Sequence, residues 1–340
     1  MILIYGVTGY TGELVVEEAL RRGLRPVIAG RDAAKVAAMG ARTGLETRVF
    51  SVEMPDLTGV RVLLNIAGPF TRTAGPLVDA CVRAGVHYLD VTGEIAVFEA
   101  LAARDAEARA AGVLLLPGVG FDVVPSDCLA AWLASRLPTA NTLTLAIRFS
   151  GAASHGTATT AVAGLGGPGA VRRAGKVIPV PLAHATREVD FGRGPKPVVA
   201  IPWGDVSTAF YTTGIPNIEV YSAFPAAAIR GMVIARYLGP ILRMGVVGRA
   251  VQAWVDRQPA GPTPEQRAAG STQVWGEVVD PAGTVVTGMV STPEGYTLTA
   301  LTAVDAAVRV LAGVGHTGFG TPAKVFGADF ILGFPGVLRS

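Results

Sequence analysis

A glycine-rich turn near the start of the chain carries the clearest chemical signal in the sequence. It consists of Gly6, Val7, Thr8, Gly9, Tyr10, Thr11 and Gly12. The turn directly follows the apolar run 2–5 and directly precedes a predicted helix over 13–22. Glycines at this spacing allow a tight turn whose backbone N–H groups can approach a pyrophosphate, and the helix N-terminus adds positive potential. The pattern therefore predicts a dinucleotide-binding site rather than an ordinary turn.

The end of the predicted strand 26–29 indicates which dinucleotide binds. Arg31 follows that strand, and Lys35 lies one helical turn later. A guanidinium at this point suits the adenosine 2′-phosphate of NADPH, because its planar fork binds phosphate oxygens bidentately. Asp32 supports the alternative, since a shift of one residue would place its carboxylate on the ribose 2′-hydroxyl of NAD. We favour NADPH.

A further candidate segment closes the predicted strand 60–66. It contains Ala67, Gly68, Pro69 and Phe70. In a doubly wound sheet the carboxyl end of this strand adjoins the bound dinucleotide. Backbone groups of Ala67 and Gly68 are therefore candidates for the adenosine or the nicotinamide side. The alternative is a plain turn between a strand and a helix.

Three side chains are candidates for the chemistry of a hydride transfer, which needs a proton donor or a partner for a developing oxyanion. Asp122 could position substrate or relay a proton, or it could cap the helix that follows it. His155, in a loop, could protonate a substrate, or it could be a solvated loop residue. Glu94 could be an acid or a substrate ligand, or a carboxylate at a helix N-terminus. No tyrosine stands four positions before a lysine, which excludes the Tyr–Lys pair of short-chain dehydrogenases.

Short apolar strands alternate with helices through the first part of the chain. The strands are predicted at 2–5, 26–29, 60–66, 86–91 and 113–116. This alternation predicts an α/β fold with a Rossmann doubly wound parallel sheet, followed by a second, mixed α+β substrate domain with antiparallel strands. We predict an NADP-binding domain at 1–127, a substrate and dimerisation domain at 128–297, and a helical segment at 298–340 that packs back on the core.

Composition limits the classes of function. Of 340 residues, 50% are hydrophobic and 16% charged, and the formal net charge is +3. These values exclude a disordered chain and argue against a nucleic-acid partner. The two cysteines provide neither a disulfide framework nor a metal cluster, so no metal site is predicted. No charged leader or cleavage site precedes the first strand, which makes the cytoplasm the expected location.

The most apolar stretch covers residues 224–255. Four arginines and a Gly-Pro pair interrupt it, so it lacks the ~20 uncharged residues of a membrane span. It favours two short helices that pack between domains. The alternative is the wall of a lipophilic substrate site or a peripheral contact with a membrane surface. A glycine-rich loop with a basic end is predicted at 164–176.

Several of these motifs together resemble the saccharopine dehydrogenase-like oxidoreductases, and most closely the branch of the trans-acting enoyl reductases. The resemblance rests on residues 6–12, 29–31, 65–70, 90–94, 120–127, 154–157, 169–176 and 318–323. It implies a Rossmann domain, a mixed substrate domain, NADPH and a homodimer. The activity it implies is hydride transfer to an activated C=C of a lipophilic small molecule. The alternatives are an imine or ketone reductase of saccharopine-reductase type, and a non-catalytic NADPH-binding sensor or accessory protein.

Overall fold

The computed structural model describes residues 1–150, 168–235 and 261–340. The described chain divides into two compact units. The first consists of Met1–Cys128 and Gly295–Phe334, and the second of Leu129–Glu294 and Pro335–Ser340. The functional boundaries at 1–127, 128–297 and 298–340 stay predictions, as do the roles assigned to those segments.

The secondary structure follows in chain order. The strands are β1 (Ile2–Tyr5), β2 (Val27–Gly30), β3 (Thr47–Val49), β4 (Val62–Asn65), β5 (His87–Asp90), β6 (Leu114–Leu116), β7 (Thr142–Ser150), β8 (Gly169–Arg173), β9 (Lys176–Val180), β10 (Thr186–Asp190), β11 (Pro195–Ala200), β12 (Asn217–Ala223), β13 (Ser271–Val279), β14 (Val285–Pro293), β15 (Gly318–Phe319) and β16 (Leu338–Arg339). The helices are α1 (Tyr10–Arg21), α2 (Ala33–Thr43), α3 (Phe70–Ala84), α4 (Ile95–Ala102), α5 (Asp105–Ala110), α6 (Val124–Arg136), α7 (Asp205–Thr213), α8 (Ala226–Ala235), α9 (Pro264–Ala269), α10 (Gly295–Ala312) and α11 (Pro322–Phe326), with a 3₁₀ helix at Phe330–Gly333.

The first unit is built on a parallel sheet with the strand order β15-β6-β5-β4-β1-β2-β3. Every residue of β1, β2, β4 and β6 is buried. Because both faces of these strands are covered, they read as continuous apolar runs rather than alternating ones. The chain runs from β1 outward to β3 and then returns to β4 on the other side of β1. This reversal opens a crevice at the carboxyl ends of β1 and β4, and the predicted doubly wound α/β class is confirmed.

The glycine turn between β1 and α1 leaves no room for side chains at its two ends. Gly6 has φ +92°, and a Cβ there would lie 2.7 Å from the backbone nitrogen of Ala67. A Cβ on Gly12 would lie 2.4 Å from the carbonyl oxygen of Gly6. Gly9 differs, since its nearest neighbour would be 3.7 Å from an added Cβ. Gly6 and Gly12 are therefore required by packing, whereas Gly9 leaves open space above the turn.

The returning helix α10 braces the loop that follows β6. The Thr302 hydroxyl donates to the carbonyl oxygen of Val119 at 2.8 Å, and the Thr299 hydroxyl accepts from the Phe121 N–H at 3.0 Å. In the first turn of α10, the Tyr296 ring meets Tyr10 edge-on at 5.0 Å. The same helix therefore holds both the glycine-turn helix and the loop that carries Asp122.

The second unit contains a mixed sheet with the order β10-β11-β12-β7-β13-β14-β16, and β8 joins it by pairing with β12. Strands β13 and β14 form an antiparallel hairpin. The expected antiparallel arrangement is wrong for β7 and β12, which pair in parallel. Within the described residues, no helix is long and apolar enough to cross a membrane. Of the stretch 224–255, only α8 lies in the described part of the chain.

The loop predicted at 164–176 is wrong over its described residues, because β8 and β9 form a hairpin there. Arg172 is not solvated but only 2% exposed. Its Nε donates to the carbonyl oxygen of Val206 at 2.8 Å, and its guanidinium lies 4.3 Å from the centre of the Phe210 ring. Arg172 thus belongs to the core of the second unit, whereas Lys176 at the same end is exposed.

The packing of the glycine turn predicts opposite outcomes for two alanine substitutions. Gly12→Ala forces its Cβ into backbone atoms that cannot rotate away, so the free energy of unfolding should fall by about 2–3 kcal/mol. Gly9→Ala, the matched control in the same turn, should cost less than about 1 kcal/mol. Urea denaturation followed by circular dichroism measures both. Equal losses in the two variants would contradict the packing described above.

Candidate functional site

Four loops meet at the carboxyl edge of the first unit's sheet. They are the glycine turn 6–12, the turn 66–69 after β4, the loop 91–94 after β5 and the loop 117–123 after β6. The position of an added Cβ on Gly6 lies 2.7 Å from Ala67, and one on Gly93 lies 2.8 Å from the Asp122 carboxylate. These close approaches bring most of the candidate residues within the first unit to one edge of the sheet.

The glycine turn presents backbone rather than side chains. The Gly6 N–H donates to the carbonyl oxygen of Ala29 at 2.9 Å, and Val7 is fully buried. Helix α1 begins at Tyr10 after Gly9, which has no side chain to cap the first N–H groups. Thr8 and Thr11 are half-buried on the same turn. A glycine-rich turn before a helix N-terminus of this kind fits a diphosphate group.

The end of β2 distinguishes Arg31 from Asp32. Arg31 is exposed directly after the strand. Asp32 is the N-cap residue of α2, and its Oδ1 accepts the Lys35 N–H at 3.1 Å. The Lys35 ammonium lies 3.8 Å from Oδ2 of the same carboxylate. Because Asp32 is engaged with α2, this geometry favours Arg31 as the residue that would meet a 2′-phosphate.

A surface pocket of about 280 Å³ lies between the glycine turn and α2. It is lined by Thr8, Glu13, Lys35, Ala38, Met39 and Arg42. Arg42 pairs with Glu13 at 3.6 Å. The sequence analysis missed Arg42, although its position two helical turns after Lys35 places both cations on one face of α2. The pocket therefore joins positive charge to the phosphate-binding turn.

The turn after β4 is held from inside by its own polar groups. The Ala67 N–H donates to the side-chain oxygen of Asn65 at 3.0 Å, and the Thr73 hydroxyl donates to the Ala67 carbonyl oxygen at 2.6 Å. Pro69 is the N-cap residue of α3, and Phe70 is its first residue. The predicted contacts of Ala67, Gly68, Pro69 and Phe70 with the dinucleotide stay predictions, but the turn lies directly beside Gly6.

Glu94 reaches this turn from the loop after β5. Its Oε1 accepts the Phe70 N–H at 2.8 Å, and its Oε2 accepts the Thr71 N–H at 3.0 Å. The helix N-terminus that it serves is thus that of α3, not of the helix that follows it in sequence. Its role as an acid or substrate ligand stays a prediction. His155, the other loop candidate, lies outside the described residues.

A buried polar network that the sequence analysis did not identify joins β4 to β5. The Asn65 amide donates to the Tyr88 hydroxyl at 3.1 Å, which donates to Asp90 Oδ2 at 2.9 Å. Asp90 Oδ1 accepts the N–H groups of Thr92 at 3.0 Å and Gly118 at 2.9 Å. Burial raises the pKa of Asp90 to about 6, although these hydrogen bonds act to lower it. The signal in the sequence was a polar residue ending each of two adjacent buried strands.

Asp122 is the candidate acid that the structure places best. It is half-buried at the carboxyl edge, beside Gly93. Burial raises the pKa of its carboxyl to about 6, well above the ordinary value of 3.8. A carboxyl with such a pKa is about one-tenth protonated at pH 7, far more than an ordinary aspartic acid, which suits general-acid chemistry.

Comparison with known proteins agrees with this site. Residues 2–116 match the family model described as the saccharopine dehydrogenase NADP binding domain. This part of the chain is therefore similar to the NADP-binding domain of saccharopine dehydrogenases. The predicted resemblance and NADP(H) as the cofactor are confirmed.

The relatives define the resemblance further. Over 139 residues the chain is 32% identical to a trans-acting enoyl reductase of Mycobacterium leprae, covering 37% of this chain and 33% of that protein. A trans-acting enoyl reductase of Mycobacterium tuberculosis is 30% identical over the same length, with the same coverage. The chain thus spans about a third of the length of these curated relatives.

A solved structure extends the likeness to the whole chain. Saccharopine dehydrogenase (L-Glu forming) from Saccharomyces cerevisiae matches with a TM-score of 0.63 and 11% identity, over 100% of this chain and 99% of that one. At this identity the match establishes the fold, a Rossmann unit followed by a mixed-sheet unit.

Arg31 should determine preference for the phosphorylated cofactor. Arg31→Ala removes a charge-assisted contact to the 2′-phosphate, so NADPH affinity should fall about 10- to 100-fold, while NADH affinity changes less than about twofold. Fluorescence titration with each nucleotide measures this, and Arg83→Ala, an exposed arginine on α3, is the matched control. Equal losses for both nucleotides would refute the phosphate role.

Asp90 should make stability depend on pH in an unusual direction. Its folded-state pKa of about 6 lies above the ordinary value of 3.8, so between those pH values the native state binds more protons than the unfolded state. Stability contributed by this group is present at pH 4 and decreases as the pH rises to 6. Relative to Asp90→Asn, wild-type stability should fall by about 2 kcal/mol across this range.

Urea denaturation between pH 4 and 7 tests this difference, and Asp122→Asn is a second variant in which the other raised carboxyl is removed. The two variants should each flatten the profile. A profile for Asp90→Asn that parallels the wild type would show that Asp90 does not titrate as described.

Proposed function

We propose that the chain is an NADPH-dependent oxidoreductase that reduces an activated C=C bond of a lipophilic enoyl or enone substrate. When bound, NADPH supplies the hydride. The observation that carries the proposal is the position of Asp122, whose pKa near 6 suits a proton donor, at the same sheet edge as the NADP-binding turn. The names of the mycobacterial relatives support the choice of an enoyl substrate.

A few groups of the protein would donate the proton and hold the cofactor. Reduction of an enoyl substrate adds hydride to the β-carbon, and negative charge develops on the carbonyl oxygen and the α-carbon. Asp122, protonated, donates its proton to that α-carbon or oxygen and is left as a carboxylate. The glycine turn and Arg31 hold the two phosphate-bearing parts of the cofactor. His155 is the second candidate donor, argued from the sequence alone.

The nearest alternative is an imine or ketone reductase. It is favoured by the likeness of fold to saccharopine dehydrogenase, and the same Asp122 proton would go to a nitrogen or oxygen. The alternative from a different class is a non-catalytic NADPH-binding sensor or accessory protein. Both alternatives assume the same NADP-binding domain. They differ in the substrate, which is an imine or ketone for the first and absent for the second.

The setting of the enzyme is part of the proposal. A lipophilic substrate is supported by the apolar stretch 224–255, whose four arginines also suit a peripheral membrane contact. We place the enzyme in the cytoplasm as a homodimer formed through the sheet of the second unit. The family resemblance supports the dimer.

Substrate turnover tests the proposal directly. Purified protein and NADPH are incubated with enoyl thioesters, enones, ketones, and keto acids paired with amines, and NADPH oxidation is followed by absorbance. An enoyl or enone substrate should be reduced, and Asp122→Asn should lower kcat about 100-fold. Because the acid must be protonated, wild-type kcat should fall as the pH rises through about 6. Glu17→Gln, an exposed carboxyl on α1, is the control and should retain wild-type kcat.

Three results would separate the candidates. Oxidation of NADPH by imines or ketones alone would favour the saccharopine-reductase type. NADPH binding without turnover of any substrate would favour the sensor. Turnover by Asp122→Asn within about threefold of wild type would remove Asp122 as the donor.

A further inference from the structure

We propose that Glu94 is a positioning residue. It holds the turn 66–69 and the start of α3 against the glycine turn, and so fixes the shape of the surface that binds NADPH. This inference rests on the NADP-binding domain, and its effect on turnover rests also on the proposed function. Glu94 would act through backbone groups and not by contact with the reacting atoms.

The clamp consists of two hydrogen bonds to two successive residues. Both oxygens of Glu94 are used, one by the Phe70 N–H at 2.8 Å and the other by the Thr71 N–H at 3.0 Å. Pro69, the N-cap residue of α3, supplies no side-chain acceptor. A carboxylate from 24 positions along the chain takes that place, and it is favoured there by the positive end of the helix dipole.

On its other side, the turn 66–69 packs tightly against Gly6. Ala67 lies three residues before Phe70, and its backbone nitrogen and Cβ would be 2.7 and 2.8 Å from a Cβ on Gly6. The Ala67 N–H and carbonyl are bonded to Asn65 and Thr73. Displacement of the first residues of α3 therefore moves the backbone that borders the phosphate-binding turn.

Glu94 is itself placed by a rigid support. Its N–H donates to the Thr92 hydroxyl at 3.0 Å, and the Thr92 N–H donates to the buried Asp90 at 3.0 Å. Thr92 and Asp90 are fully buried. The order of contacts runs from the core carboxylate of Asp90 through the loop after β5 to the turn after β4. A helix cap requires only a hydrogen-bond acceptor, but Glu94 also links the loop after β5 to the turn after β4.

The experiment compares Glu94→Ala and Glu94→Gln with wild type, and Glu17→Ala serves as the matched loss of one carboxylate in the same unit. Hydrogen exchange of the amides of Phe70 and Thr71 reports the clamp. NADPH titration gives the dissociation constant, and the emission spectrum of bound NADPH at saturation reports the surroundings of its nicotinamide. None of these measurements needs a substrate.

Glu94→Ala should speed exchange at both amides, weaken NADPH binding about tenfold and change the emission of bound NADPH. Glu94→Gln keeps one acceptor oxygen but sets an NH2 group against the other amide, so its NADPH affinity should be intermediate, about threefold below wild type. Glu17→Ala should match wild type in all measurements. If Glu94→Ala does not fold, Glu94→Asp takes its place under the same criteria. The Asp side chain is one methylene shorter, so its carboxylate cannot reach both amides.

Two results would overturn the proposal. Unchanged exchange at Phe70 and Thr71 would show that the clamp does not hold the helix. Faster exchange with unchanged affinity and emission would reduce Glu94 to a helix cap. If the predicted changes occur and wild type reduces no substrate, the positioning role stands and the proposed reductase does not.

Discussion

The loops at the carboxyl edge of the first unit's sheet depend on the buried carboxylate of Asp90. A carboxylate taken out of water must find hydrogen-bond donors, because an unpaired buried charge costs several kcal/mol. Asp90 finds them in the Tyr88 hydroxyl and in the N–H groups of Thr92 and Gly118. Those donors belong to β5, to the loop after β5 and to the loop after β6. Satisfying one charge thereby fixes the relative position of two loops.

The same constraint extends to the glycine turn by contacts of different kinds. The Thr92 hydroxyl accepts the Glu94 N–H, and the Glu94 carboxylate accepts the Phe70 N–H at the start of α3. The turn before α3 lies so close to Gly6 that no Cβ fits there. On the other side, α10 supports the loop after β6 through Thr299 and Thr302. Polar contacts set the direction of each loop, and the missing side chains of Gly6 and Gly12 set how closely the loops approach.

Patterns local in sequence predicted five of the seven strands in the sheet of the first unit and missed β3 and β15. Apolar runs ending in glycine, proline or a polar residue predicted the five strands, and the spacing of Gly6, Gly9 and Gly12 predicted the turn. The partners of Glu94 and Asp90 could not be predicted this way. Their distant partners, the N–H groups of Phe70 and Gly118, lie 24 and 28 positions away and carry no residue signal of their own. Their contacts depend on the strand register that aligns Asn65 with Asp90.

The second unit was harder for related physical reasons. The apolar pattern of β7 and β12 is the same whether the two strands run parallel or antiparallel, so their pairing could not be obtained from periodicity. The β8–β9 hairpin was hidden by its composition. Arg172 suggested a solvated loop, yet backbone carbonyls and the Phe210 ring accommodate the buried guanidinium. His155 and the boundaries of the functional domains stay predictions.

The return of α10 to the first unit has a consequence for the order in which the chain folds during synthesis. The bond from Phe121 to Thr299 joins residues 178 positions apart. A ribosome must therefore make the bulk of the second unit before the loop bearing Asp122 receives its support. The nascent Rossmann strands can pair early, since their partners are close in sequence, but closure over such a long loop costs entropy and comes late. The carboxyl edge of the first unit's sheet is thus completed late, after strands β1 to β14 have been made.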